Sequence, residues 1–246
     1  MRNWIAATIL SLAPFLALGA TGKTITYDVN GQPYEGYYIS PGKDAPLVLM
    51  IHDWDGLTGY EVKRANMLAE KGYAVFAADL FGKGVRPVED ADKRQHTGEL
   101  YKDREKMRAL MIGALETAQS NGANIKNAVA VGYCFGGAAV LELARSGADL
   151  KGFATFHGGL QTPEGQNYSK TRGSILIMHG GADTAITMDD FATLAKALET
   201  AGVPYEMAVY GGAPHAFTVF GSDRYREDAD QKSWMLFNRF LEKNLK

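Results

Sequence analysis

"VGYCFGGAAVLELA", Val131 to Ala144, decides how the rest of the chain is read. It opens in an apolar run, Ala128 to Tyr133, of the kind shown by strands covered on both faces, and it closes in good helix formers. Between them the only cysteine of the chain stands in a G-x-C-x-G-G frame. Gly132 and Gly136 omit the side chains that would collide where a strand turns sharply into a helix, so Cys134 is expected to project from a strained turn. The N–H of Phe135 then lies at a helix N-terminus and faces the same point as the sulfur. That is the expected half of an oxyanion hole.

Working outward, "PLVLMIH" (Pro46 to His52), "YAVFAAD" (Tyr73 to Asp79), "GFATFHG" (Gly152 to Gly158) and "SILIMHG" (Ser174 to Gly180) are further near-continuous apolar runs. Helical spacing separates them: Val62, Ala65, Leu68 and Ala69 share one stripe, as do Met107, Leu110, Met111, Ala114 and Leu115. "DDFATLAKALETAG" ends on Gly202 as a helix should, and "QKSWMLFNRFLEK" forms another near the C-terminus. Upstream, "KTITYDV" and "YEGYYIS" flank Asn30-Gly31, a hairpin signal. The fold class expected is α/β, a mostly parallel doubly wound sheet with an N-terminal antiparallel hairpin. The polar segment from Gly82 to Leu100 is long for a connection and is read as a cap or rim.

The chain has 246 residues, 46% hydrophobic and 22% charged, enough for a real core. A formal charge of -2, with acids and bases interleaved, leaves no footprint for nucleic acid or an anionic membrane surface. Residues 1–20 read as a secretory signal peptide: a basic lead at Arg2, an apolar stretch from Ile5 to Leu18, and small residues at Ala17 to Ala20. The apolar stretch is shorter than the roughly 18 to 20 residues that span a bilayer, and Pro14 interrupts it. The expectation is an exported protein, periplasmic or secreted, with residues 21–246 as one domain and no membrane partner after cleavage.

Ligands in such a sheet sit beyond the carboxyl ends of the strands, so the residues after each apolar run carry the chemistry. A cysteine nucleophile needs a base, and the base an orienting acid. Asp183 in "MHGGADTAIT" and His215 in "YGGAPHAFT" follow Cys134 in that chain order. His215 is read as the base and Asp183 as the group that sets its tautomer. His157 and His179 are read as structural, His52 as the strand-end histidine best placed to line the site, and His96 as solvent-facing. No pair stands at metal-ligand spacing on one element and no phosphate or dinucleotide loop occurs, so no metal and no cofactor are expected.

With those motifs in view, the chain resembles the dienelactone hydrolase family of the α/β-hydrolase superfamily. "IHDWDGL", "AADLFGKG", "GYCFGG", "HGGAD" and "PHAF" are similar to that family's segments over essentially the whole mature chain. The resemblance implies that Trp54 donates the second oxyanion N–H and that Asp53, where the family usually has Glu, restrains the resting thiol. It also implies two arginines for a substrate carboxylate, and this chain has Lys83 and Val219 at the matching places. Val219 cannot pair with an anion, which leaves Arg86, Arg224 or Arg226 as candidates for the missing cation. The expected substrate is therefore a small ester or lactone, cleaved through a Cys134 thioester, with Asp53, Lys83 and His52 as substrate-binding candidates. Two other readings are a binding protein that keeps the hydrolase scaffold without turnover and a thiol-based redox role, for which the chain has no resolving cysteine.

Overall fold

The structure is a computed structural model that describes residues 20–246; the expected signal segment lies outside the described residues except for Ala20. The hairpin forms as its turn chemistry requires: β1 (Lys23–Val29) and β2 (Gln32–Ile39) pair antiparallel, with Asn30 at φ 54° and Gly31 at φ 77°. Both turn residues occupy the left-handed region, which suits the right-handed twist of the flanking strands.

The rest alternates strand and helix: β3 (Pro46–Ile51), α1 (Gly59–Ala69), β4 (Ala74–Ala78), α2 (Asp90–Lys102), α3 (Arg104–Ser120), β5 (Asn124–Tyr133) and α4 (Phe135–Arg145). There follow β6 (Gly152–Phe156), β7 (Ser174–Gly180), α5 (Met188–Ala201), β8 (Tyr205–Tyr210) and α6 (Glu227–Leu245). The eight strands make one sheet in the order β1-β2-β4-β3-β5-β6-β7-β8, parallel from β4 through β8. Strand alternation divides the core between its faces. Leu47, Leu49 and Ile51 join Met107, Met111 and Leu143 of α3 and α4, while Val48 and Met50 join Leu68 of α1 and Phe237 of α6.

Two elements go beyond the sequence reading. The segment from Gly82 to Leu100 contains α2, whose only buried residues are Thr97 and Leu100, so no apolar stripe announced it. Strand β8 is an edge with no fully buried side chain, and its apolar run is only the four residues Met207 to Tyr210. Because the central strands are parallel, the turns after β3, β5, β6, β7 and β8 open at one edge of the sheet. Asp53, Cys134, His157, Asp183 and His215 are therefore delivered to one place.

Candidate active site

Cys134 caps the N-terminus of α4 at φ 51°, ψ −114°, a backbone conformation that a non-glycine residue holds only when its surroundings over-determine it. The surroundings do so by close approach. A Cβ on Gly132 would collide with the Gly136 carbonyl, and one on Gly136 with the carbonyls of Ile51 and His52. The Cys134 N–H also donates to the Phe156 carbonyl at 3.1 Å. The sulfur is a free, half-buried thiol that faces the Nε2 of His215 at 3.1 Å.

The Nδ1 of His215 lies 2.7 Å from Asp183 Oδ2, and Asp183 Oδ1 accepts the N–H groups of Ala185 and Ile186 at 2.9 Å each. Burial opposes a charge on the imidazole, but the hydrogen bonds to Asp183 and Cys134 outweigh it and push its pKa up to about 10. Burial likewise opposes the Asp183 carboxylate, yet the His215 bond and the backbone N–H groups hold its pKa below the usual value. The structure thus joins Cys134, His215 and Asp183 in one hydrogen-bonded line. The Phe135 and Trp54 N–H groups have no protein acceptor among the described residues; Phe135 is the first residue of α4 and follows Cys134, and Trp54 lines the same cavity as the sulfur.

The thiol opens into a cavity of about 650 Å³, walled by Trp54, Ile186 and Val219, with Asp53 beside the sulfur. A volume of this order takes a small molecule. Asp90 and Arg94 of α2 also line it, as does Arg224. The segment read as a rim is therefore a rim, and Lys93 and Arg94 set their cationic heads over the Trp54 ring at 5.0 and 5.7 Å. Arg94 and Ile186 were not among the expected site residues, and Arg224 is the one of the three candidate arginines that lines the cavity. No local pattern marks them, because they are brought in by α2 and by the loops after β7 and β8.

Two expected substrate contacts are corrected. His52 is wholly buried, its Nδ1–H donates to the Asp53 carbonyl at 2.6 Å, and its Nε2 accepts the Leu80 N–H at 3.0 Å. Both ring nitrogens are committed to linking the ends of β3 and β4, and burial lowers the imidazole pKa to about 4. Lys83 is exposed and does not line the cavity; its backbone N–H donates to the Pro33 carbonyl. Arg86, a possible substitute, is bound to Glu35 and to the Leu57 and Val85 carbonyls.

Asp53 makes no hydrogen bond to Cys134. Its Oδ1 accepts the Asp55 N–H at 3.1 Å, the local turn that a short side chain favours. Asp53, Asp55 and Glu61 bring carboxylate oxygens within 4.8 Å of one another, a grouping that could take a cation. Glu61, however, already caps α1, accepting the Thr58 N–H and hydroxyl at 2.8 Å each. Burial, then the hydrogen bond with Asp55 and the nearby Glu61, drive the Asp53 pKa far up.

The dienelactone hydrolase family model matches residues 34–245. The chain belongs to the dienelactone hydrolase family. Among its relatives, "Protein usf" of Aquifex pyrophilus is 25% identical over 91% of this chain and 99% of its own length. A protein of Aquifex aeolicus named "Putative carboxymethylenebutenolidase" is 24% identical, covering 92% and 100%. Among solved structures, a dienelactone hydrolase-like promiscuous phosphotriesterase from metagenomic libraries superposes with a TM-score of 0.86 at 26% identity, covering 93% of this chain and all of that one. The acylaminoacyl peptidase of Pyrococcus horikoshii, at 17% identity and a TM-score of 0.72, covers 93% of this chain and 42% of that one, and shares the α/β-hydrolase fold. Family membership makes the protein a hydrolase acting on a small-molecule substrate.

Proposed function

We propose that the protein hydrolyses a small ester or lactone through a thioester on Cys134. The observation that carries this reading is the line Cys134 Sγ, His215 Nε2, His215 Nδ1, Asp183 Oδ2, at 3.1 and 2.7 Å, set at a strained turn. The sulfur of the Cys134–His215 ion pair attacks the substrate carbonyl, and the developing oxyanion takes the N–H groups of Phe135 and Trp54. Collapse breaks the C–O bond, and the imidazolium passes its proton to the departing alkoxide. Neutral His215 then removes a proton from water, the hydroxide attacks the thioester, and the sulfur leaves as the carboxylic acid departs. Asp183 keeps Nδ1 protonated throughout, so Nε2 always faces the reacting atoms.

The apolar wall of Trp54, Ile186 and Val219 supports a compact, largely apolar acyl group. The cations at the cavity are Arg94 and Arg224, not Lys83. Export is part of the proposal and rests on the character of residues 1–20 alone. The test is a panel of aryl esters, thioesters and lactones, assayed with wild type, alkylated wild type and Cys134→Ala. Loss of at least about 10³-fold in both modified forms is expected. If Cys134→Ala keeps most of the activity, the mechanism is wrong, whereas binding without turnover in wild type favours the non-catalytic reading. Cell fractionation tests export.

A further inference from the structure

His215 stands in the irregular stretch between β8 and α6, where no helix or strand fixes it. Asp183 restrains one edge of its ring. The next residue, Ala216, is held at φ 61°, and His157, whose ring meets His215 edge to face at 5.3 Å and 67°, is held at φ 41°. Left-handed conformations at non-glycine residues persist only where the surroundings enforce them. Against the His157 side of this turn lies a buried polar chain that the hydrolytic steps do not use.

The chain converges on Thr218, three residues past His215 and wholly buried. Its Oγ1 lies 2.8 Å from His157 Nε2 and 2.7 Å from the Tyr60 hydroxyl, and its carbonyl accepts from Arg64 Nη2 at 2.9 Å. Arg64 Nε donates to the Tyr60 oxygen at 3.3 Å, and the buried guanidinium is paired with Asp230 of α6, which also accepts from the Tyr225 hydroxyl at 3.2 Å. Thr218 Oγ1 thus joins the Tyr60 hydroxyl to His157 Nε2, while His157 Nδ1 is buried and has no partner among the described residues. The chain starts at a permanently charged guanidinium and ends at the imidazole whose ring meets His215.

We propose that Tyr60, Thr218 and His157, anchored on the Arg64–Asp230 pair, form a positioning unit that holds His215 on Cys134. The unit acts through His215 and touches no substrate. Its neutrality matters, because a second cation at 5.3 Å would oppose the charge on His215. Burial, and then His215 itself, keep the His157 pKa well below its ordinary value. The titratable groups around the pair of imidazoles are Cys134 from the elbow, Asp183 and His179 from the end of β7 and the turn after it, and Arg64 from α1. This inference rests on the proposed catalytic role of His215, so its test carries a readout independent of turnover.

That readout is the pH profile of Cys134 alkylation by iodoacetamide, which needs the thiol and its histidine but no hydrolysis. Thr218→Val keeps the shape and removes the hydroxyl. Its kcat should fall about 10- to 100-fold with KM within about threefold, and its alkylation profile should move toward that of His215→Ala. Thr218→Ser restores the hydroxyl and should restore both. A Thr218→Val protein with wild-type kcat and wild-type alkylation profile overturns the proposal, even if it melts earlier, because a purely structural role moves only the melting temperature. Should Thr218→Val fail to fold, Tyr60→Phe takes its place. A several-fold loss of kcat with the same displacement supports the unit, and unchanged values overturn it. If Cys134→Ala proves active, the catalytic reading fails while the alkylation profiles still decide the positioning.

Discussion

Asp183, which reaches Cys134 through His215, and Asp53, which lines the cavity with it, are alike in most respects. Each is 7% exposed, each follows a parallel strand, and each accepts the N–H of the residue two positions on with its Oδ1. Their pKa values move in opposite directions. Asp183 adds the Ile186 N–H and the His215 ring, and its pKa falls; Asp53 adds Asp55 and Glu61, and its pKa rises. Burial disfavours the carboxylate at both positions, so the neighbours decide the outcome. The aspartate with the lowered pKa serves a base, and the one with the raised pKa adds less negative charge beside the sulfur.

The comparison is tested most severely by making the same substitution twice. Asp183→Asn frees the tautomer of His215, and kcat/KM on an aryl ester should fall by about 10²- to 10⁴-fold. Asp53→Asn replaces an acid of raised pKa by a neutral amide of the same shape, and the loss should stay within about tenfold. Equal losses would show that Asp53 works as a carboxylate. A third buried acid sharpens the point: Glu142 of α4 is fully buried but meets Arg108 at 2.7 Å, Arg145 at 2.9 Å and Arg104 at 3.5 Å. Burial opposes its charge, yet the arginines lower its pKa. Glu142→Ala leaves Arg145 buried without its anion and should cost about 3 kcal/mol, read as a lowered denaturation midpoint, with kcat little changed.

How much of this was legible beforehand follows from which forces are local. The elbow could be read because Gly132 and Gly136 are demanded by backbone clashes within a few residues, and the hairpin because Asn30-Gly31 fits one turn type. Asp183 and His215 were legible as strand-end residues in the right chain order. Helix α2 was not, since a helix that buries only Thr97 and Leu100 has no stripe. His52 was misread because its second partner, the Leu80 N–H, arrives from another strand end. The raised pKa of Asp53 was hidden for the same reason: Glu61 reaches it from the first turn of α1.

The smallest effect expected is in stability against pH, and there the two aspartates should part in slope. The Asp53 pKa is raised above its unfolded value, so its contribution is complete below about pH 4 and is lost as pH climbs toward the raised value. Asp53→Asn removes that loss, so its melting temperature should exceed that of wild type by an amount that grows from pH 5 to pH 9. Asp183 has a lowered pKa, so its contribution is present above about pH 4, and its partner His215, raised to about 10, holds a proton until the pH approaches that value. The ion pair is therefore whole at pH 5 and weakens toward pH 10, and the cost of Asp183→Asn should shrink over the range in which the gain from Asp53→Asn grows. Thermal melts of the three proteins at pH 5, 7 and 9 measure both slopes. A pH-independent difference for Asp53→Asn would remove the raised pKa of Asp53, and with it the contrast between the two aspartates.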